Sequence, residues 1–478
     1  MTAGNWRLAL DAAHVLDRRG AILPDARLLL VAEAFHNRDW RMAATRIDAV
    51  EHDQLFAFAA PILRAWLAVG SGQGDALAAL PAEGGQGVGA AYADEHRPLI
   101  MLALGRPGAA AQLQRAAASA GARGARLRIA GAALLARRGD RAGALALLEG
   151  NAGPIVAARA LIEAHRPLPG AIAGADTGMA ELLVRLSLDL QAQDVTPLAA
   201  MFARLATWLA PDNSEAWMVA ALLLAQQDKE RLAVPLLANV AADDPFATTA
   251  RDQRIRILLD GGERDAALAE ALAATRGPGA ATTDWVRLGE VYGAMGRQAE
   301  AADAFGRAIA ARREGEEAQA EWTLQLMRGG ALDEAGNWPD ARGALRAAYR
   351  LAPEQPFVLN YLGYAELIRH ENPDEAERLI REAHRLAPDN HAITDSLGWA
   401  LYLRGQLPEA IAMLEQAAQG EPADVEINEH LGDAYFAAGR RIEARFAWKA
   451  ALVYADGAAA TRIAAKMETG LTPQLAAR

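Results

Sequence analysis

The sequence contains no cysteine, and this absence removes several kinds of chemistry at once. Without thiols the chain can form no disulfide, no thiolate zinc site and no cysteine nucleophile. It also lacks the residue to which the lipid of a bacterial lipoprotein is attached.

Lysine, aromatic residues and long apolar runs are scarce as well. Lysine occurs only at Lys229, Lys449 and Lys466, with arginine in its place, which we interpret as an effect of codon composition. Aromatic residues make up 6% of the chain, β-branched residues are sparse and alanine is abundant, a composition that favours helices. Because no run of 18 apolar uncharged residues exists, no membrane-spanning helix is predicted.

Acidic residues outnumber basic ones, and the formal net charge is −11. Residues 1–180 carry 19 bases and 16 acids, a net charge of +3, whereas the remainder carries 30 bases and 44 acids, a net charge of −14. An acidic second part argues against nucleic acid as a partner, because phosphates need a basic face. It favours a protein or peptide partner that is basic or apolar.

One stretch near the middle of the chain shows a two-helix motif. Residues 285–292 read W-x2-L-G-x2-Y, and residues 301–305 read A-x3-F. This spacing is the tetratricopeptide signature, in which two antiparallel helices form a unit of about 34 residues. Gly289 lets the second helix cross closely, and Ala301 and Ala308 are the small residues that accept this approach. Spacings of three, four and seven keep the large side chains on one helical face.

The motif recurs in step from residue 181 onward. Steps of 34 or 35 residues, with one step of 40, separate the crossing positions Ser187, Ala221, Ile255, Gly289, Gly329, Gly363, Gly398 and Gly432. The small residue of the second helix recurs at Ala199, Ala233, Ala267, Ala301, Ala341, Ala376, Ala410 and Ala444. Because each such unit packs on its neighbours, the series predicts an all-α, right-handed superhelical solenoid of antiparallel helix pairs.

This pattern divides the chain into three predicted parts. Residues 1–178 hold irregular, degenerate repeats and end in a cluster of helix breakers at 167–178. Residues 179–457 hold eight units in register, and residues 458–478 are predicted to form a capping helix and a loose tail. Residues 2–20 resemble the second helix of a unit whose first helix is missing, which favours a natural start upstream of Met1.

Motifs for catalysis, nucleotide binding and metal binding are absent from the sequence. The glycine-rich residues 81–90 follow no strand and precede no Lys-Ser/Thr, so a flexible loop is favoured over a phosphate loop. His370, His384 and His391 lie in or beside turns, where solvated side chains are favoured over a metal site. The sequence therefore predicts no catalytic residue, no metal, no cofactor and no enzymatic activity.

The first helices of stacked repeats line the concave side, where a partner segment would bind. In the last three units the side chains predicted to face this groove mix aromatic rings, acids and one amide: Asn360, Tyr364, Asp395, Trp399, Tyr402, Glu429, Asp433 and Phe436. Aromatic side chains are efficient binding anchors, and the acids would attract Arg or Lys of the partner. The alternative, in which Trp399, Tyr402 and Phe436 pack between units, stays open. No lysine stands at the groove positions, so an acidic C-terminal tail is not the expected ligand.

The last units also resemble a particular group of tetratricopeptide proteins. Residues 359–364 read L-N-Y-L-G-Y, residues 395–402 read D-S-L-G-W-A-L-Y, and residues 429–433 read E-H-L-G-D, followed by G-R-R-I-E-A-R-F-A-W at 439–448. These segments are similar to proteobacterial envelope tetratricopeptide proteins, many of which are outer-membrane lipoproteins. Some members of that group serve as adaptors for periplasmic proteases or for envelope assembly. The group normally carries an export signal and a lipidated cysteine, and the sequence as given has neither.

The sequence thus predicts a non-catalytic scaffold or adaptor that binds a partner in its groove, in an envelope assembly or protease-adaptor role as the resemblance implies. Two alternatives are a regulatory subunit of an enzyme with an unrecognised site in the N-terminal part, and a self-assembling structural solenoid. Without an export signal the expected location is the cytoplasm. The alternative is the periplasm or the outer-membrane periphery, if the chain begins upstream. The oligomeric state stays open.

Overall fold

The computed structural model describes residues 4–53, 55–277, 280–312 and 318–476, excluding the side chains of 318–320. Within these ranges every regular element is a helix and none is a strand. Successive helices pack as pairs, so the predicted all-α array of helix pairs is confirmed. The chain forms two compact units, Met1–Glu270 and Ala271–Arg478, which we call unit 1 and unit 2.

Unit 1 consists of alanine-rich helices joined by connections of uneven length, the longest being residues 72–87. They are α1 (Trp6–Arg18), α2 (Pro24–His36), α3 (Trp40–Glu51), α4 (Ala60–Ser71), α5 (Val88–Ala103), α6 (Ala109–Ser119), α7 (Gly124–Arg137), α8 (Arg141–Leu147), α9 (Gly153–Glu163), α10 (Ala175–Gln191), α11 (Thr196–Leu209), α12 (Ser214–Ala225), α13 (Glu230–Leu237) and α14 (Ala247–Asp260). Two 3-10 turns, Ala57–Ala59 and Gly121–Arg123, precede α4 and α7. Helix α15 (Arg264–Thr275) contains the division between the units.

The core of unit 1 contains a buried ionic cluster as well as apolar side chains. Arg123 pairs with Glu95 and Glu181 and lies 3.4 Å from Glu215. Arg126 bonds Glu181 at 3.3 Å and donates to the Gly170 carbonyl at 2.7 Å. Burial opposes the charge on Arg123, but the three carboxylates outweigh it and raise its pKa. The cluster therefore ties α5, α10 and α12 to the turn before α7 through charges withdrawn from water.

Unit 2 continues with longer and more regular pairs. Its helices are α16 (Thr282–Ala294), α17 (Gln298–Ala311), α18 (Ala318–Glu334), α19 (Trp338–Leu351), α20 (Pro356–Ile368), α21 (Pro373–Leu386), α22 (His391–Leu403), α23 (Leu407–Gly420), α24 (Val425–Ala437), α25 (Arg441–Tyr454) and α26 (Gly457–Thr469). Left-handed glycines end several of the first helices, for example Gly405 after α22 and Gly439 after α24. Glycine takes this conformation without the strain that a Cβ adds, which allows a tight reversal into the second helix.

The close helix crossings lie where the repeat pattern predicts them. A Cβ added at Gly289 would lie 2.5 Å from Phe305, and one at Gly398 would lie 2.6 Å from Leu414. The same substitution at Gly432 would meet the indole of Trp448. All eight alanines predicted on the second helices, from Ala199 to Ala444, have 0% of their surface exposed. The glycines and alanines of the repeat pattern therefore lie at close, buried helix contacts.

The predicted limits at 178 and 457 concern the regularity of the repeats, and the division of the chain into two compact units does not test them. They stay predictions. Helix α26, which the sequence predicts as a cap, places Ile463 in a cluster with Ala444, Trp448 and Ala451 of α25. The last two residues of the predicted tail lie outside the described residues.

Candidate functional site

The first helices α20, α22 and α24 lie next to one another in unit 2, so equivalent side chains of successive repeats come together. Between them is a cavity of about 310 Å³, which we call the acidic cavity. Its lining comprises Asp333, Asn360, Tyr361, Tyr364, Ala365, Ile368, Ala392, Asp395, Ser396, Asp424, Glu426 and Ile427. Three of the eight predicted groove residues line it, namely Asn360, Tyr364 and Asp395.

Asn360 and Tyr364 occupy adjacent turns of α20. The Oδ1 atom of Asn360 is buried and accepts no hydrogen bond from the described residues. The Tyr364 hydroxyl donates to Oε1 of Glu426 on α24 at 3.0 Å. Burial, followed by the nearby carboxylates of Glu426 and Asp395, raises the pKa of Tyr364. The tyrosine therefore stays protonated as a donor, while the amide oxygen of Asn360 lacks a donor.

Asp395 on α22 is held by a histidine of the next repeat. Nδ1 of His430 lies 2.9 Å and 3.1 Å from the two carboxylate oxygens of Asp395. His430 is fully buried, which opposes its charged form, but Asp395 outweighs this effect and raises the pKa of His430. The Asp395–His430 pair therefore fixes the carboxylate at the wall of the acidic cavity.

Trp399 and Tyr402 extend this arrangement into the protein. The indole of Trp399 is stacked between His430, with ring centroids 4.0 Å apart, and Tyr402, with centroids 4.6 Å apart. Trp399 is only 2% exposed. Of the two roles that the sequence leaves open for this side chain, the structure shows packing between repeats. Tyr402 is partly buried and belongs to the same stack.

Glu429 and Asp433 lie on α24, away from the acidic cavity, and contact α26 of the same chain. Lys466 donates to Oε1 of Glu429 at 2.6 Å and to Oδ2 of Asp433 at 2.7 Å. Arg462 adds two bonds to Glu429, at 2.6 Å and 2.7 Å. In the structure these acids therefore hold α26, and their role in partner binding stays a prediction.

Phe436, the last of the predicted groove residues, is also beside α25 and α26. Its ring lies 5.6 Å from that of Trp448, and a Cβ on Gly470 would lie 2.8 Å from it. The Trp448 indole in turn donates to Oδ1 of Asp433 at 2.9 Å. Phe436 therefore packs within the C-terminal end of unit 2.

The predicted groove residues leave out five polar residues of the acidic cavity, namely Asp333, Tyr361, Ser396, Asp424 and Glu426. Asp333 pairs with Arg369, and burial raises its pKa. Asp424 accepts from the Ile427 backbone N–H at 2.9 Å and caps α24. Glu426 keeps 61% of its side-chain surface exposed. It stands at the second place of its repeat, one of the places that the repeat register turns toward the groove, so the register itself was the available signal.

The charged side chains that line the acidic cavity are therefore all acidic. Four carboxyl groups and no basic side chain are among its lining residues. Two of the acids, Asp333 and Asp395, have partners behind the wall, whereas Glu426 faces solvent with a tyrosine hydroxyl as its main partner. A ligand that brings a cation and hydrogen-bond donors suits this surface, and one that brings an anion does not.

The other candidate sites of the sequence have ordinary surroundings. In the glycine-rich stretch, the Gly84 backbone N–H points at the carboxylate of Asp94, 3.2 Å from Oδ2. His384 Nδ1 lies 3.2 Å from the Thr394 hydroxyl. Among the residues that the structure describes, no group of three or more His, Asp or Glu is arranged to hold a metal ion.

Family models match three segments of unit 2. The model described as "Tetratricopeptide repeat" matches residues 286–356 and 326–391, and the model described as "TPR repeat" matches residues 398–439. Unit 2 carries tetratricopeptide repeats. The matched segments contain all of α20 and α24, part of α22 and the crossing glycines from Gly289 to Gly432, so the acidic cavity lies among these repeats.

Several solved structures are similar to this chain, at low sequence identity. The APC/C hetero-tetramer Cut9-Hcn1 is 16% identical, with 98% of this chain and 94% of that chain covered and a TM-score of 0.42. A tetratricopeptide repeat protein from Parabacteroides merdae is 14% identical, with coverage of 54% and 99% and a TM-score of 0.44. The protein MamA is 22% identical, with coverage of 40% and 98% and a TM-score of 0.30.

No curated protein matches the chain. Across the described part of the chain, none of the helices combines the length and the apolar character needed to cross a membrane.

Proposed function

We propose that this protein is a non-catalytic scaffold or adaptor that binds a segment of a partner protein in the acidic cavity of unit 2. The bound segment carries a lysine or arginine beside apolar residues. The observation that carries this proposal is the cavity itself, with four carboxyl groups, no base and the unpartnered amide oxygen of Asn360.

The lining supplies what a long basic side chain needs. Ala365, Ile368 and Ile427 offer apolar surface for its methylene stem. Glu426 and Asp395 offer carboxylates for its charge, and Oδ1 of Asn360 accepts one of its hydrogens. A buried acceptor without a donor costs roughly 1–3 kcal/mol, so a donor at Asn360 offsets a penalty that the unbound protein carries.

Contacts of helix α26 support the same chemistry two repeats beyond α20. Glu429 and Asp433 occupy the places of their repeat that Asn360 and Tyr364 occupy in theirs. In the structure they bind the ammonium of Lys466 and the guanidinium of Arg462. One repeat of this chain thus holds basic side chains of a helix at these positions, which supports the same chemistry at Asn360 and Tyr364.

The biological setting of this binding is a further part of the proposal. The similarity of residues 359–364, 395–402 and 429–448 to envelope tetratricopeptide proteins supports an adaptor role in envelope assembly or with a protease. The partner would then bring the activity, and this chain would hold it in place.

The experiment compares a charge reversal inside the cavity with one outside it. Labelled apolar peptides with one central lysine, or with norleucine in its place, are titrated with the full chain and followed by fluorescence anisotropy. Glu426→Lys should weaken binding of the lysine peptide about 10-fold or more, because it replaces attraction by repulsion. Glu421→Lys makes the same charge change on an exposed residue that is not part of the lining.

Three results would contradict the proposal. They are equal binding of the lysine and norleucine peptides, equal weakening by the two variants, and turnover of a substrate by the purified chain. Affinity capture from the native cell with wild type and Glu426→Lys then identifies the natural partner as the protein that only wild type retains.

A further inference from the structure

Helix α25 exposes large apolar side chains on the face turned away from the core. Ile442, Phe446 and Val453 are 71%, 69% and 68% exposed. Their spacing of four and eleven residues places them in one line on the helix, opposite the buried Ala444, Trp448 and Ala451. We call this line together with its flanking residues the α25 outer face. An aligned apolar surface of this kind is typical of a binding site.

The repeat architecture does not require these residues. The equivalent positions of the two preceding second helices are found by counting back 34 and 68 residues. They hold Pro408, Ala412 and Gln419 on α23, and Asp374, Arg378 and Arg385 on α21. The same outer face is therefore small or polar on α23 and charged on α21. Of these three second helices, only α25 has an outer face that is strongly apolar and exposed.

A row of cations runs beside the apolar line. Arg441, Arg445 and Lys449 follow one another at intervals of four residues and are exposed. No carboxylate of the described residues forms an ion pair with any of the three, whereas the adjacent Arg440 pairs with Glu415 and Glu443. Unit 2 holds 22 bases and 30 acids. Three basic side chains without a counter-ion on one helix therefore stand out against the charge of their surroundings.

The cationic side of the outer face continues into a second cavity. This cavity, of about 410 Å³, lies where α25 meets the end of α26, and Arg441, Ile442 and Arg445 are among its lining residues. The guanidinium of Arg441 is turned toward the Phe436 ring at 5.6 Å. Long acidic side chains could enter here while apolar neighbours cover the line.

We infer that the α25 outer face binds an acidic amphipathic helix of a partner protein. From Ile442 to Val453 the line extends about 16 Å, at 1.5 Å per residue, which matches three turns of a second helix. The apolar face of the partner helix covers Ile442, Phe446 and Val453. Its glutamates or aspartates pair with Arg441, Arg445 and Lys449. This surface prefers the opposite charge from the acidic cavity, so the two can hold different segments.

The test uses three designed helical peptides of about 18 residues, a length at which helices become stable in water. All three share one apolar stripe, and their flanks carry glutamate, glutamine or lysine. Anisotropy titrations of the full chain should give the tightest binding for the glutamate peptide. Replacing Ile442 and Phe446 by Gln should weaken it about 10-fold or more, because two central anchors are lost. Arg445→Glu with Lys449→Glu should weaken it by at least a similar factor and reverse its salt dependence, because two attractive charges become repulsive and salt screens the repulsion.

The controls use the equivalent places of the preceding helices. Ala412→Gln and Arg378→Glu lie in register with Phe446 and should leave binding of the glutamate peptide unchanged. The Ile442/Phe446 variant should also leave binding of a lysine peptide at the acidic cavity unchanged, which separates the two proposals.

Other occupants of the outer face give distinct results, each of which overturns the inference. A second copy would make the wild type, but not the Ile442/Phe446 variant, dimerise in light scattering. A lipid surface would show as binding to phosphatidylglycerol vesicles that the variant loses. Binding of the three peptides with equal affinity, or no binding of the glutamate peptide, also contradicts it.

Discussion

The two units place their charges differently. In unit 1 the strongest ion pairs lie inside the core, where Arg123 and Arg126 bind Glu181, and Glu181 has no exposed surface. In unit 2 they lie where α24 meets α26, around Lys466, while other carboxylates remain on the wall of the acidic cavity. Charge thus stabilises the core in unit 1, whereas in unit 2 it holds the C-terminal helix and also lines the acidic cavity.

The largest effect should come from removing the central base of unit 1. Arg123→Leu leaves Glu215 without its main counter-charge and Glu181 with Arg126 alone, and an uncompensated buried charge costs roughly 3–5 kcal/mol. Hydrogen exchange should show loss of protection in α5, α10 and α12. The matched control is Arg137→Leu, whose contact with Asp212 at 3.6 Å is exposed and is worth about 0–1 kcal/mol. Similar losses in both variants would contradict the distinction between core and surface charges.

A smaller and more local effect is expected at the end of unit 2. Lys466→Met removes the shared partner of Glu429 and Asp433, but Arg462 still binds Glu429 and Trp448 still binds Asp433. We expect a loss of about 3 kcal/mol, seen as fast exchange in α26 while α16–α21 keep their protection. Lys449→Met, an exposed lysine on the neighbouring helix, should change stability by less than about 0.5 kcal/mol. Uniform weakening of unit 2 would show that α26 is not a separate local element.

The two units also differ in the residues at which paired helices cross. Unit 1 places Ser187, Ala221 and Ile255 there, and unit 2 has glycine at every crossing. Gly398→Ala should cost about 1–3 kcal/mol because the new methyl meets Leu414. Gly343→Ala on α19, where a Cβ meets nothing within 4 Å, should stabilise the helix by about 0.5–1 kcal/mol. Urea unfolding measures the change in the free energy of unfolding for both variants. Changes of the same sign would show that the helix crossing at Gly398 is not tight.

The smallest effect is a difference in pH dependence between two buried histidines. Burial, with help from Arg123, lowers the pKa of His96 to about 4. Its contribution to stability is therefore present above pH 6.5 and is lost as the pH falls toward 4. Asp395 instead raises the pKa of His430. That contribution is present below about 6.5 and is lost as the pH rises through the raised pKa.

Hydrogen exchange of each unit between pH 4 and pH 8.5, corrected for intrinsic rates, tests this difference. A single histidine contributes a slope of at most about 1.4 kcal/mol per pH unit. His96→Gln should flatten the acid side of the unit 1 profile, and His430→Gln the alkaline side of the unit 2 profile. Slopes of the same sign in both units would contradict the assignment.

The positions of the close helix crossings could be predicted from the sequence, because they depend only on small residues at a fixed spacing. Gly398 and Ala410 lie where the pattern predicts them. The residues that line the acidic cavity could be predicted from the sequence only in part. Whether an acidic side chain lines a cavity depends on which other side chains pack against it. Glu429 and Asp433 are held by Arg462 and Lys466, which lie more than thirty residues further along the chain. The four-residue spacing of those two bases on α26 was the available signal.

The stack of Trp399 shows the same limit. Its spacing from Gly398 places it on the first helix, but only the position of His430 in the next repeat decides that the indole is enclosed. The buried ionic cluster of unit 1 was not readable at all, since Arg123 meets partners up to 92 residues away. Ion pairs between residues so far apart in the chain produce no periodic pattern in the sequence.

The scarcity of lysine gives the enclosed ammonium of Lys466 a practical consequence. Reagents that acylate amines should modify the exposed Lys229 and Lys449 of the folded protein and spare Lys466. Modification of Lys466 then requires α26 to detach from α24. The extent of acylation at Lys466, measured by mass spectrometry of the peptides, therefore reports how often the last helix detaches. The chain carries its own reporter of end fraying, with one internal standard in each unit.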